Sequence, residues 1–233
     1  MPKLSEDMRR AVVIFISATI IFSMLAYVAV TPRPKEQFFQ IYVLGENRMA
    51  ERYYPDDSSN IPVGRLVKWY LGATNFMGSV QYAVIKVKLG NSTIKAPDDV
   101  NYIPSTAPVL LEFGRVLMDN ETWEFPFGWM IGGVREDGNI TYATVLVINV
   151  KDGVQIGSGR VSAINGHNIR IIFELWTFDP MTEDLIFGWT AGGERRVAWL
   201  QLWFNATKPL LLPGARVCSQ LRVIDCLRGI SVD

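Results

Sequence analysis

The chain is poor in the residues that most often do chemistry. It holds one histidine, His167, and two cysteines, Cys218 and Cys226, in 233 residues. A single imidazole following Asn165-Gly166 builds neither a zinc site nor a catalytic triad without partners, and no Gly-x-Ser-x-Gly or His-Glu-x-x-His occurs. No catalytic, cofactor-binding or metal-ligating set is therefore expected. The acidic pairs Asp56-Asp57, Asp98-Asp99 and Glu183-Asp184 lack the Asp-x-Asp-x-Asp-Gly spacing of a calcium loop and read as solvated turn carboxylates. Gly157-Ser158-Gly159 and Gly192-Gly193 lack the strand-to-helix setting of a phosphate loop and read as turns. Charge of one sign is missing as well: 23 basic residues balance 23 acidic ones. Nothing would draw such a chain to nucleic acid.

What the chain does have is one long apolar run. Residues 11–30, AVVIFISATIIFSMLAYVAV, contain no charge and are bracketed by Arg9-Arg10 and Arg33. As a helix they would measure about 30 Å, the hydrocarbon thickness of a bilayer. The hydroxyls of Ser17, Thr19 and Ser23 can bond back to a carbonyl one turn earlier, so nothing in the run requires water. A buried core helix, apolar on every face, needs a large protein around it. A cleaved signal usually has a shorter apolar region and a small-x-small site, whereas Tyr27 precedes Ala29 and Met24 precedes Ala26. An uncleaved single-pass anchor is the expectation. Arg9-Arg10-Ala11 before the run also looks like an archaeal prepilin signal, so a filament subunit cut before the helix is the alternative.

Basic residues flank the run almost evenly, and orientation is read from acceptor sites instead. Eleven asparagines and 24 serines plus threonines predict about one Asn-x-Ser/Thr by chance, yet four occur, at Asn91, Asn120, Asn139 and Asn205. All follow the apolar run, which points to a glycosylated ectodomain outside and the N-terminus inside. Asn91 and Asn139 follow turn-like Leu89-Gly90 and Asp137-Gly138 and are the best placed.

The expected organisation is a cytoplasmic stretch 1–10, the membrane helix 11–30, a proline-stiffened collar 31–36, a β domain 37–207 and a tail 208–233. Aromatic residues make up 12% of the chain, enough to exclude a disordered stalk. Cys218 and Cys226 fall in the tail, on the side of the membrane where disulfides persist. A bridge and one continuous helix exclude each other there, because eight helical positions span about 12 Å against a limit of about 7 Å. A disulfide and two unpaired thiols both stand.

Strand periodicity fills the β domain. Strands are expected over 37–44, 65–74, 79–89, 109–117, 122–130, 141–150, 154–161, 168–176 and 196–204, with loops at 53–60 and 95–108. Ile85, Val87 and Leu89 alternate with Lys86 and Lys88, which predicts one wet face. Pro126 should confine its strand to an edge or a bulge. Both faces of 196–204 are apolar, which predicts a central strand. Lys151-Asp152-Gly153 reads as a hairpin turn. Short strands with turns between them predict a mainly β fold, an immunoglobulin-like β-sandwich ectodomain behind one N-terminal transmembrane α-helix.

Several of these pieces resemble one family. An aromatic strand ending in Leu44-Gly45, then Tyr54-Pro55, the turn begun by Asn75, the strand from Tyr82 to Gly90, the turn Asp119-Asn120-Glu121-Thr122-Trp123-Glu124 and the closing Leu200-Gln201-Leu202-Trp203-Phe204-Asn205-Ala206-Thr207 are similar to archaeal membrane proteins carrying the domain of unknown function 1616. The resemblance covers about residues 37–207 and implies a β-sandwich outside the membrane and no known activity. Members usually have several membrane helices before this domain, and this chain has one. Extra sequence lies between Phe127 and His167; it either extends the protein's own sheet or pairs with a partner's edge. The combined expectation is no enzyme and no cofactor, but an interaction or accessory subunit whose partners are the membrane and other membrane or cell-surface proteins.

Overall fold

The computed structural model describes residues 5–31, 36–149 and 155–208. The turn at Lys151-Asp152-Gly153, most of the collar, and Cys218 and Cys226 lie outside the described residues. The chain divides into two compact units, one ending at Glu36 and the other beginning at Gln37.

The first unit is the helix α1, Glu6–Val30. It begins five residues before the apolar run because Ser5 caps it: the Ser5 hydroxyl accepts from the Met8 N–H at 3.4 Å, and Glu6 and Asp7 sit in the positive first turn. Ser17 Oγ and Thr19 Oγ1 donate to the carbonyls of Val13 and Phe15 at 2.9 and 2.8 Å, so neither hydroxyl needs a water partner. At the far end the Thr31 N–H and hydroxyl both donate to Tyr27 O. No residue of α1 is buried, so its mean hydropathy of 2.4 over the most apolar window is presented outward on every face.

The second unit is a two-sheet sandwich. Sheet 1 runs β1-β3-β6-β7-β8, from β1 (Phe39–Leu44), β3 (Leu66–Asn75), β6 (Thr122–Asp137), β7 (Ile140–Asn149) and β8 (Gln155–Ile164). Sheet 2 runs β2-β13-β9-β4-β5, from β2 (Asn60–Pro62), β13 (Trp199–Thr207), β9 (Ile169–Asp179), β4 (Gln81–Asn91) and β5 (Val109–Leu117), with β10 (Asp184–Phe187) added to β9. A small hairpin, β11 (Trp189–Ala191) and β12 (Glu194–Arg196), forms its own two-stranded sheet and packs Trp189 into the core, 5.5 Å from Phe39. The orders β1-β3-β6 and β13-β9-β4-β5 match A-B-E and G-F-C-C′ of an immunoglobulin-like sandwich. The hairpin β7–β8 takes the edge beside β6, so the extra sequence extends the protein's own sheet.

The core is aromatic where an immunoglobulin domain has its inter-sheet disulfide. Trp69 of β3 lies 6.2 Å from Phe173 of β9, and stacks at 6.1 Å on Phe127 of β6. Trp129 packs at 4.4 Å on Phe204. Each such side chain removed from water contributes about 1.5–3 kcal/mol. The Trp69 indole N–H donates to Tyr53 O, which anchors the loop before β2 to the core.

Several strand expectations need correction. β6 is longer than 122–130 and pairs on both sides; Pro126 faces Tyr70 of β3, and among the described residues the pairing with β7 reaches Gly128. Gly157 and Gly159 lie in β8, not in a turn, and let β8 approach β5: a Cβ on Gly157 would stand 2.4 Å from Leu110 O. Gly192-Gly193 is a turn, both residues at positive φ. β13 is shifted to Trp199–Thr207 and lies beside the sheet edge, not at its centre: among the described residues β2 pairs only with its last three residues. Lys88 does not face water. It is 5% exposed, beneath a loop that crosses the outer face of sheet 2.

Candidate interaction surface

That loop, residues 92–108, is held by a buried polar network. Lys88 Nζ lies 2.8 Å from Glu174 Oε2 and donates to Ser105 O at 2.7 Å. Glu174, fully buried, accepts from the Ser105 N–H at 2.7 Å and from the Trp176 indole at 3.1 Å. The register sets this up: Lys86 faces Glu174 and Lys88 faces Ile172 across β4 and β9, on the same side of the sheet. Two rows away Arg170 donates to Ile94 O and, at 2.6 Å, to Gln201 Oε1, with its guanidinium 4.7 Å from the Trp203 ring centre. Burial pulls the Arg170 pKa below its ordinary value. The three prolines of the loop carry no backbone donor; side chains add to its few backbone bonds, which include Asp98 with Ile103 and Leu89 N to Pro108 O.

At the tip of the loop Asp98 accepts from the backbone of Val100 and Asn101 at 2.9 Å each, and from the Asn101 amide at 2.7 Å. The Asn101 amide, then its backbone, hold the Asp98 carboxyl below its usual range. The tip presents Val100 and Ile103 to solvent. Next to it Asp99 borders an open groove of about 510 Å³ whose other walls are Phe38–Ile41 and Val197–Trp199. One wall is therefore β1, whose backbone is paired, among the described residues, only with β3.

A second, more polar cleft of about 680 Å³ lies between the loop after β1 and the start of β3, lined by Glu46, Arg52, Tyr54, Asp56 and Arg65 among others. Asp56 and Asp57 both adopt positive φ there, and Arg65 lies 3.7 Å from Asp56. Burial pushes the Tyr54 hydroxyl, which donates to Trp203 O, up to about 12. The three acidic pairs are not brought together, and among the described residues no three His, Cys, Asp or Glu side chains gather as for a metal. His167 is exposed in the turn before β9, its N–H bonded to Ile164 O.

The acceptor asparagines divide between the two ends of the sandwich. Asn91, Asn139 and Asn205 share the end opposite to where the chain enters β1: Asn91 Nδ2 donates to Ser162 O at 2.8 Å, Asn139 O accepts from Asn165, and Asn205 Oδ1 accepts from Asn168. Asn205 Nδ2 also donates to Asn60 Oδ1. Asn139 is exposed in the two-residue turn between β6 and β7. Asn120, at φ 62, lies at the entry end. Sequence periodicity found the loop but missed the buried pair beneath it. The available signal was the opposite charge of Lys88 and Glu174 on strands that prove to be neighbours.

No family model matches the chain, and no curated protein matches it. Among solved structures it is similar to the CARDB domain of a Pyrococcus furiosus protein in complex with di-metal ions, at 9% identity and TM-score 0.26, over 56% of this chain and 96% of that one. It is also similar to part of a β-glucosidase from Listeria innocua, at 14% identity and TM-score 0.28, over 55% of this chain and 16% of that one. The immunoglobulin-like assignment rests on the strand order, not on these distant likenesses.

Proposed function

We propose that this is a single-pass membrane protein that holds an immunoglobulin-like sandwich outside the cell membrane, as an interaction or accessory subunit at the cell surface. The observation that carries this reading is α1: a helix of 25 residues whose last 20 carry no charge and none of which is buried, in a chain whose second unit has its own core. The presence of three of the four acceptor asparagines at the end away from the tether supports the outside placement of the sandwich.

The work of the domain is binding, not catalysis. The open edge of β1, beside a loop pinned by the Lys88–Glu174 pair, offers a rigid shelf on which an extended segment of a partner adds as a strand. A photo-crosslinking residue at Gln40, used in native membranes, tests this. Capture of one membrane or surface protein, lost when Ile41→Pro blocks strand addition, is the expected result. Capture unchanged by Ile41→Pro would remove the edge from the account, and no crosslink from Gln40 would remove binding there.

A further inference from the structure

At the end of the sandwich where the chain enters, apolar side chains collect that the core does not use. Val80 lies after the β3–β4 turn and Met118 after β5, neighbours because Gln81 pairs with Leu117; they are 56% and 59% exposed. Tyr82 pairs with Val116 on the outer face of sheet 2, and its ring lies over Gly114, where a Cβ would stand 2.3 Å from the hydroxyl oxygen. Phe178 follows on β9, past the Ala83–Thr177 pair, and Met181, 90% exposed, tips the β9–β10 turn.

The rim is built, not loose. Asn75, fully buried, donates from Nδ2 to Ser79 O, Leu117 O and Met118 O, and its Oδ1 accepts from Met77 N. Asp119 accepts from Gly78 N at 2.8 Å. Two turns are thereby tied together and hold Val80 and Met118 side by side. The incoming chain is tied to the same turns: Gln37 Nε2 donates to Met77 O at 2.9 Å, Phe76 N to Phe38 O, and Phe38 stacks on Phe76 at 4.8 Å.

We infer that this rim rests in the lipid headgroup layer, with Val80, Met118 and Met181 in the interface and Phe178, Tyr82 and Val116 along its margin. The inference rests on α1 spanning the bilayer. The tether chooses lipid as the occupant: only residues 31–36 separate the helix from Gln37, and the seven steps from Val30 to Gln37 reach at most about 25 Å. Strands such as β4, of 11 residues, run about 36 Å, so the tether is shorter than the sandwich and holds its entry end near the membrane. Asp179, Glu183 and Asp184 flank the rim, so contact comes from apolar insertion and not from attraction to anionic lipid.

The test uses the full chain, with Cys218 and Cys226 changed to serine, reconstituted in phosphatidylcholine vesicles. Single cysteines at Val80, Met118 and Met181 carry an environment-sensitive dye; Ile164→Cys at the opposite end and Ser17→Cys in the helix are controls. The expected result is a blue-shifted emission at the three rim sites, quenched by spin-labelled lipid, with Ile164→Cys unshifted and unquenched. Blue shift without lipid quenching would mean that protein, a second copy or another, covers the rim, and would overturn the inference. So would aqueous emission at all three sites. Ser17→Cys separates the failures: if it too is unquenched, the membrane helix itself is wrong.

Discussion

Replacing Lys88 by Met leaves Glu174 buried and charged with only the Ser105 N–H and the Trp176 indole for partners. Removing one member of a buried pair costs about 3–5 kcal/mol, because the other charge is left without compensation in a medium that solvates it poorly. A domain of this size has about 5–15 kcal/mol of stability in all, so either single change takes a large share of it. Glu174→Gln keeps an acceptor for Ser105 and the indole but strands the Lys88 ammonium. The double variant Lys88→Met/Glu174→Gln carries no buried charge and should cost about 3 kcal/mol or more less than the sum of the two singles. Denaturant unfolding of the full chain in micelles, followed by tryptophan fluorescence, measures all three. At about 2–4 °C per kcal/mol, each single change lowers the melting temperature by about 6–20 °C. Trypsin cleavage after Lys95, exposed in the clamped loop, should quicken in both single variants under native conditions. Single changes costing less than about 1 kcal/mol, or additive costs, would show that the pair does not hold the loop.

Glycopeptide mapping should find Asn139 the most occupied of the four acceptors and Asn120, two residues from Met118 at the membrane rim, bare; occupancy at Asn120 alone would contradict both placements. Gly157→Ala puts a Cβ against Leu110 O and should destabilise by about 1–3 kcal/mol, read in the same unfolding assay. Tyr42 and Tyr54 are both pushed up to about 12, by burial first and, for Tyr42, also by Glu124. The folded state therefore keeps protons that the unfolded chain gives up near its ordinary value of about 10, so stability holds below that pH and falls as pH rises toward 12. Absorbance at 295 nm should show a late-ionising fraction that shrinks in Tyr54→Phe.

The helix and the sandwich were legible because both rest on local pattern. An uncharged run of twenty residues needs no partner to declare itself, and the alternation of Ile169, Ile171, Phe173 and Leu175 gave β9 its inner face. The strands β10 to β12 were missed because three or four residues carry too little periodicity. β13 was misplaced as central since an apolar outer face reads alike whether another layer of the fold or the Arg170 guanidinium over Trp203 covers it. The candidate surface was almost illegible. Lys88 looked wet by alternation, and only the pairing of β4 with β9, set by residues far apart in the chain, brings Glu174 under the loop. The rim at the entry end was equally hidden, because Val80, Met118 and Met181 come from three separate turns that only the register unites.

Mass mapping of the chain recovered from alkali-washed native membranes tests the anchor most directly. The account predicts that the membrane-bound chain retains residues 11–30, uncut, together with the sandwich. A chain beginning near Thr31 and released into the wash would make this a secreted soluble protein, and one beginning at Ala11 in filaments would make it a pilin; either result would contradict the account.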